Sequence, residues 1–333
     1  MGVNLKRLSI ILAITLFVNL LGGCELISKT EEGEKKTVVA KVNGEKITKG
    51  EFEKIFQSQL VQYEMMYGKD FATKKENEEL VKNIKEDLLN ELINERILLQ
   101  KAKELNVQPS QDEIDKEVAK AYDEAVKQAG GEDKFNKTLE AFKMTVDDFK
   151  KYMANRVIID KVYDEIVKDV TVSEDELLKY YNENMYDYTE KPNKMNVSHI
   201  LVETEDTAKK VLEELNKGAK FEDLAKKYSI DPGSKDKGGN LGDIYYNDDN
   251  YDKTFLTNAI ALPVGKISPI VKTQFGYHII KVNKKEEYRL KTFDEVKDQV
   301  KEVVLEQKKA DKIDETFNKW KEEAKITKYI DRL

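Results

Sequence analysis

Only two histidines occur in the 333 residues of this chain, and both lie in or beside short apolar runs between residues 194 and 283. The runs Val197–Val202 and Ile279–Val282 are rich in β-branched side chains, a pattern that predicts two buried strands. A buried imidazole needs a hydrogen-bond partner. Any fold of this stretch must therefore supply one to each histidine.

The segment between the two strands changes its periodicity. Apolar residues recur at helical spacing in Thr207–Leu215 and Phe221–Tyr228, and a third helix over about 254–261 ends before Pro263. A turn-rich stretch and the three glycines of Gly238–Gly242 separate these helices. The predicted order is strand, two helices, a glycine-rich loop, a helix and the second half of a sheet.

This stretch resembles the parvulin family of peptidyl-prolyl cis/trans isomerases, because several motifs occur in the order that the family has. They are Ser198-His199-Ile200-Leu201, Ser229-Ile230-Asp231, Gly238-Gly239-Asn240-Leu241-Gly242, Phe255 with Ala261-Leu262, Val264-Gly265-Lys266-Ile267-Ser268 and Phe275-Gly276-Tyr277-His278-Ile279-Ile280. The resemblance implies a small antiparallel sheet surrounded by helices.

The resemblance also implies the polar residues of a catalytic site. His199 and His278 correspond to the paired imidazoles, Asp231 to the acidic residue that faces the twisting bond, and Thr273 to a hydroxyl that completes the network. Two neutral imidazoles, a hydroxyl and a carboxylate can form one network that fixes every tautomer. Without the resemblance, two histidines hydrogen-bonded within strands would be assigned a structural role.

Isomerisation of an Xaa–Pro bond requires neither a nucleophile nor a metal, so we expect no cofactor. The site must instead grip the proline ring, exclude water and favour the twisted amide. By resemblance, Leu241, Tyr251 and Phe255 form the apolar shelf that receives the ring. Tyr251 departs from the family, which often has methionine there, and core packing is the alternative role for all three.

The loop after the first strand is acidic. Glu203-Thr204-Glu205-Asp206 contains three acids and no base, whereas parvulins that require a phosphorylated residue before proline carry a basic loop here. A phosphate would be repelled. The sequence therefore predicts isomerisation that does not depend on phosphorylation.

Residues 1–23 have the pattern of a signal peptide. The apolar run Leu8–Leu21 follows two basic residues and, at about 1.5 Å per residue, spans about 21 Å, short of a hydrocarbon core of roughly 30 Å. Small residues precede Cys24, the only cysteine, as in a lipobox. We expect Cys24 to be lipidated and to begin a tether over 24–36, with an incidental buried thiol as the alternative. The protein would then lie on the extracytoplasmic face of a bacterial cell membrane.

Helical patterns dominate both flanks of the parvulin-like stretch. A predicted hairpin at 37–47 precedes a capping box at Thr48, and further helices follow at about 77–105, 111–129, 132–142 and 146–168. After the stretch, Thr292 caps a last helix whose apolar stripe extends to Trp320 and cannot be buried by that helix alone. These flanks resemble the PrsA foldases and, more distantly, the SurA-type chaperones.

We therefore predict an α+β protein with a mostly helical chaperone domain, built from N- and C-terminal segments, into which a parvulin-like domain is inserted. The predicted limits are 37–191 for the N-terminal part, 192–284 for the parvulin-like domain and 285–333 for a C-terminal helix that packs on the N-terminal part.

The predicted partners are unfolded or partly folded secreted polypeptides with Xaa–Pro segments, and the membrane through Cys24; a homodimer is left open. Charged residues make up 36% of the chain with both signs interspersed and no basic block, which excludes nucleic acid as a partner. The leading interpretation is a membrane-anchored foldase that isomerises and holds its clients. A non-catalytic holding chaperone or scaffold is the alternative, while the helical flanks argue against a solute-binding lipoprotein with two α/β lobes.

Overall fold

The computed structural model describes residues 31–333. The predicted signal peptide and Cys24 lie outside the described residues. The strands are β1 (Val38–Val42), β2 (Glu45–Thr48), β3 (Lys194–Val202), β4 (Asn240–Tyr245), β5 (Val271–Thr273), β6 (Gly276–Glu286) and β7 (Ile326–Lys328). The α-helices are α1 (Glu31–Lys35), α2 (Lys49–Tyr67), α3 (Glu78–Glu104), α4 (Gln111–Ala129), α5 (Glu132–Ala141), α6 (Val146–Val167), α7 (Glu174–Glu183), α8 (Glu205–Asn216), α9 (Phe221–Tyr228), α10 (Lys253–Ala261) and α11 (Phe293–Glu323).

The described chain divides into two compact units. The first, the helical unit, contains the described residues up to Thr171 together with Glu306–Leu333, and the second, the inserted unit, is Val172–Leu305. The prediction of an α+β protein whose helical domain is built from both ends of the chain is confirmed. The inserted unit is wider than the predicted 192–284, because it also contains α7 and the first part of α11.

A three-stranded sheet joins the two ends of the chain within the helical unit. Its order is β2-β1-β7, and β7 runs antiparallel to β1 with Ala40 opposite Lys328. The predicted capping box begins α2, since the Thr48 side chain accepts from the N–H of Glu51 and the Glu51 carboxylate accepts from the N–H of Thr48. Phe317 and Trp320 of α11 pack against the core that the sheet shares with α2 and α3. Partial burial of these two aromatic rings favours the return of the C-terminal part of α11 to the N-terminal helices.

A nearly buried arginine ties α3 to the hairpin of the helical unit. The guanidinium of Arg96 donates to Glu45 Oε1 at 2.7 Å and to Glu51 Oε1 at 3.0 Å. It also donates to the carbonyl oxygen of Lys46 at 3.3 Å. A charge of this kind can be buried only because it is paired and hydrogen-bonded.

In the inserted unit, α7 packs against the first part of α11. Leu177 and Tyr181 of α7 form one apolar cluster with Val296, Val300 and Val304 of α11. The hydroxyl of Tyr181 donates to a backbone carbonyl just before α11, at 2.6 Å. The apolar stripe of α11 is therefore buried in two parts, and its first part belongs to the inserted unit.

The four-stranded sheet of the inserted unit has the order β4-β3-β6-β5, and each neighbouring pair is antiparallel. Alternate residues of β3 and β6 face opposite sides of the sheet. One side carries Ile200, Val202 and Ile279 against α8 and α9, and the other carries Met195, Val197, Ile280 and Val282 against α10.

None of the helices within residues 31–333 has both the length and the apolar character needed to cross a membrane.

Candidate active site

The strand period places both histidines on the side of the sheet that faces α10. His199 follows Met195 and Val197 at two-residue steps along β3, and His278 precedes Ile280 in the same way along β6. In the antiparallel register His199 lies opposite Ile280, so His278 is its diagonal neighbour. Both side chains are about 95% buried, since their exposed fractions are 6% and 5%.

The four polar residues expected from the resemblance form one line of hydrogen bonds. His199 Nε2 lies 3.0 Å from Asp231 Oδ2, and His199 Nδ1 lies 3.2 Å from His278 Nδ1. At the other end, His278 Nε2 lies 2.8 Å from Thr273 Oγ1. The loop after α9 supplies the carboxylate, β3 and β6 supply the imidazoles, and β5 supplies the hydroxyl. The structure therefore brings together Asp231, His199, His278 and Thr273.

The carboxylate of Asp231 determines the direction of the whole line. An ionised carboxylate only accepts hydrogen bonds, so His199 Nε2 carries the proton and His199 Nδ1 accepts. His278 Nδ1 must then donate to His199, which leaves His278 Nε2 as the acceptor of the Thr273 hydroxyl. Both imidazoles are neutral in this arrangement, and each has one fixed tautomer.

The electrostatics of the site favour this neutral state. Burial lowers the pKa of His199 even though its contact with Asp231 opposes the shift. The pKa of His278 is lowered to about 4, mainly by burial and to a smaller extent by the neighbouring His199. Burial tends to raise the pKa of Asp231, but hydrogen bonds from Ser234, His199 and the Gly233 N–H outweigh it and lower the pKa to about 2. At neutral pH the line thus contains one negative charge, on Asp231.

Ser234 is a member of the site that the sequence reasoning did not identify. Its backbone N–H donates to Asp231 Oδ2 at 3.1 Å, its hydroxyl donates to the same oxygen, and that hydroxyl lies 3.1 Å from His199 Nε2. The Gly233 N–H donates to Asp231 Oδ1 at 3.2 Å. The turn after Asp231 therefore holds the carboxylate against His199.

Gly239 fixes the approach of the loop to His199. Its carbonyl accepts from the N–H of His199 at 2.8 Å, and its φ is +84°. A Cβ at this position would lie 2.3 Å from the carbonyl oxygen of His199. Only glycine permits both the positive φ and this contact.

The three residues expected to form the proline shelf lie at one apolar cluster beside the histidines. Phe255 is buried, and its ring centroid lies 5.7 Å from that of His199 and 5.2 Å from that of His278. Tyr251 stacks on Phe255 at 6.0 Å. Leu241 and Tyr251 are half-buried and pack against the same cluster. An apolar surface with partly exposed members next to the line is what a proline ring requires.

The acidic loop after β3 has a structural role at the start of α8. Thr204 is the N-cap, and its side chain accepts from the N–H of Thr207. Glu205 and Asp206 lie in the first helical turn, where negative charge is stabilised by the helix dipole. Glu205 also pairs with Lys209 at 2.8 Å.

Comparisons with known proteins agree with both units. The model of the SurA-like N-terminal domain matches residues 3–163, and the model of the PPIC-type PPIase domain matches residues 172–298. The foldase protein PrsA of Clostridium botulinum strain Hall is 44% identical over 332 residues, which cover 98% of each chain. The foldase protein PrsA of Clostridium acetobutylicum is 39% identical over 324 residues, which cover 97% of each. The crystal structure of peptidylprolyl isomerase PrsA from Bacillus anthracis is 31% identical and covers 71% of this chain and 96% of that one, with a TM-score of 0.34.

Proposed function

The chain belongs to the PrsA family of foldases, and we propose that the line Asp231–His199–His278–Thr273 is the site at which it isomerises Xaa–Pro bonds of its clients. The observation that carries the proposal is that this line is continuous and lies directly beside the apolar shelf of Phe255. Polarising groups and a surface for the ring are the two parts that the reaction needs.

The reaction requires rotation and no bond cleavage. Amide resonance opposes rotation with a barrier of about 18–20 kcal/mol, and for an Xaa–Pro bond the exchange takes tens to hundreds of seconds. Leu241, Tyr251 and Phe255 hold the proline ring. The residue before the proline then rotates about the Xaa–Pro bond while the ring stays fixed. The buried surroundings exclude water from the bond, which would otherwise stabilise the planar amide through its carbonyl oxygen.

Asp231 contributes through its charge. In the planar amide, resonance places negative charge on the carbonyl oxygen, and rotation removes that charge. A fixed carboxylate close to the bond disfavours the planar form more than the twisted one, so it lowers the barrier. His199, Ser234 and the Gly233 N–H hold the carboxylate in place and keep its pKa low, while His278 and Thr273 fix the tautomer of His199. The imidazoles orient and polarise, and they do not attack the substrate.

The cis-to-trans rate of an unphosphorylated Xaa–Pro peptide tests the proposal. We expect acceleration by the wild-type protein and its loss, by at least about tenfold, in Asp231→Ala and His278→Ala, since removal of one preorganised electrostatic group commonly costs that much or more. Asp223→Ala is the matched control, because Asp223 is an exposed carboxylate of α9 on the other side of the sheet. Unchanged turnover in Asp231→Ala would exclude the carboxylate from the mechanism.

We further propose an extracytoplasmic location with the protein anchored through lipid on Cys24, and secreted polypeptides in an unfolded or partly folded state as its clients. The signal-like residues 1–23 and the small residues before Cys24 support the anchor. Membership of the PrsA family of foldases supports the proposal that secreted polypeptides are the clients. The predicted limits of the parvulin-like domain, 192–284, and a homodimer remain proposals as well.

An exposed apolar segment supports holding of clients by the helical unit. Met65, Met66 and Tyr67 end α2, and each is between 59% and 66% exposed. Three consecutive exposed apolar residues are unusual on a soluble surface. Methionine adapts its shape to many partners. Tyr67 also stacks on Tyr63 and Phe71, which gives the segment a rigid base. We propose that this segment, Met65–Tyr67, binds apolar stretches of unfolded clients.

Suppression of aggregation measures the holding function. Replacing Met65, Met66 and Tyr67 together by serine should weaken suppression of the aggregation of an unfolded client. Leu178→Ser is the matched control, because Leu178 is an exposed apolar residue of the inserted unit. Full suppression by the triple variant would show that clients bind elsewhere.

A further inference from the structure

Methionine sulfur is unevenly accessible over the molecule. Met65 and Met66, at the end of α2, are 65% and 66% exposed. Met1 lies outside the described residues, and the remaining methionines are buried or half-buried, namely Met144, Met153, Met185 and Met195. Of the methionines that the structure describes, only these two in the segment Met65–Tyr67 are therefore open to a reagent in solution.

The proposed isomerase site offers no such sulfur. Neither the hydrogen-bonded line nor the apolar shelf includes a methionine or a cysteine. Met195 belongs to the same apolar cluster as Phe255, but it is only 1% exposed and is shielded by the packing around it. Among the described residues, accessible thioethers thus lie at the proposed holding segment and not at the proposed isomerase site.

Exposed thioethers react with peroxides. Hydrogen peroxide transfers one oxygen atom to the sulfur, which loses two electrons; the O–O bond breaks, and the second oxygen leaves as water with both protons. The product is methionine sulfoxide, a polar group in place of an apolar one. Accessibility decides which methionines react, so Met65 and Met66 should react before the buried methionines.

The base of the segment contains no sulfur and should survive this reaction. Tyr67 stacks on Tyr63 and Phe71, with ring centroids 6.4 Å and 5.5 Å apart. Phe71 is 1% exposed and belongs to the core of the helical unit. The aromatic support of the last turn of α2 therefore remains, and oxidation changes the surface of the segment rather than its fold.

We infer that Met65 and Met66 form a redox-sensitive modification site, whose oxidation by peroxide weakens the holding of clients and leaves isomerisation intact. The inference rests on the proposed holding function of the segment Met65–Tyr67. A sulfoxide oxygen accepts hydrogen bonds from water, and an apolar stretch of a client must displace that water to bind. The change is reversible, because methionine sulfoxide reductases restore the thioether with two electrons and two protons from a dithiol, and the oxygen leaves as water.

The test treats the full-length protein with hydrogen peroxide, removes the excess with catalase and measures three quantities. Mass spectrometry of peptides gives the sulfoxide at each methionine, and the functional assays are suppression of client aggregation and the cis-to-trans rate of an unphosphorylated Xaa–Pro peptide. We expect sulfoxide at Met65 and Met66 before Met144 and Met195. Suppression should fall towards that of the triple serine variant, while the acceleration of isomerisation is kept. Sulfoxide reductases of both stereospecificities with dithiothreitol should restore suppression.

Two double variants separate this site from the other methionines. Met65→Leu combined with Met66→Leu keeps apolar side chains of similar size and removes the sulfur. Its suppression, compared before and after peroxide, should not change. Met153→Leu combined with Met185→Leu is the matched control, because these methionines are half-buried. This control should lose suppression on oxidation as the wild type does.

Several results would overturn the inference and leave the holding function intact. They are equal oxidation of exposed and buried methionines, full suppression by protein that carries both sulfoxides, or the wild-type loss of suppression in Met65→Leu with Met66→Leu. Loss of isomerisation together with suppression would also contradict it. No suppression by the untreated wild type, or full suppression by the triple serine variant, would overturn the holding function and this inference with it.

Discussion

Individual side chains explain why the site tolerates burial of two histidines. His199 and His278 are each hydrogen-bonded at both ring nitrogens, so neither leaves an unpaired polar atom in the core. The arrangement works only while both rings are neutral, because a second proton on either ring would remove the acceptor that its neighbour uses. The stability of the inserted unit should therefore depend on pH.

We predict that the inserted unit loses stability as the pH falls from about 6.5 towards 4. The folded pKa of His278 is about 4 and the ordinary value is 6.5, so in this window the unfolded chain binds more protons and stability decreases with decreasing pH. The loss from His278 between pH 7.5 and 5.0 is about 2 kcal/mol by this linkage. Asp231 has a folded pKa of about 2, so it adds a further loss of stability only when the pH falls below 3.8, the ordinary pKa of the group.

Urea unfolding at pH 7.5 and 5.0 measures this dependence. The histidine ring signals in NMR report the inserted unit, since the chain has only two histidines and both belong to it. His278→Gln should reduce the difference between the two pH values. An equal difference in wild type and variant would show that His278 is not held in the neutral state.

The composition of the site could be predicted from the sequence only through motifs. His199, Asp231, Thr273 and His278 lie far apart in the chain, and no local pattern shows that they converge; the resemblance supplied that step. Ser234 was missed, although Asp231 begins a turn of the type in which an Asp side chain binds backbone N–H groups two and three residues later. An Asp that begins such a turn is thus a local sequence signal for the position of Ser234.

Secondary-structure elements followed their local signals closely. The predicted helices at 111–129 and 221–228 have the predicted ends. A serine N-cap and a left-handed glycine define the ends of the first helix locally. A short amphipathic run defines the second. The strand β7 was missed. It has three residues, and its pairing with β1 is a long-range contact that no periodicity in so short a segment can indicate.

We predict that β7 stabilises the helical unit through Ile326. The side chain is half-buried against the core of the unit, so Ile326→Ala should lower the free energy of unfolding by about 1–2 kcal/mol. Thr327→Ala is the control, because the neighbouring side chain is exposed. The fluorescence of Trp320, the only tryptophan, reports this unit in urea unfolding. Equal midpoints for the two variants would contradict a structural role of β7.

The whole molecule combines an isomerase unit with a helical unit built from both chain ends. The isomerase line needs a rigid, nearly buried network, whereas holding of unfolded clients needs exposed and adaptable side chains such as Met65 and Met66. The two requirements differ, and in our proposal they are met by different units of the chain. Their activities should therefore be separable by substitution.

The most direct test of this account is the refolding of an unphosphorylated client whose slow step is proline isomerisation, measured together with its aggregation. We predict that Asp231→Ala loses the acceleration of refolding and keeps suppression of aggregation, whereas serine at Met65, Met66 and Tyr67 has the opposite effect. Loss of both activities in either variant, with the fold intact by Trp320 fluorescence and histidine NMR, would contradict the assignment of two functions to two surfaces.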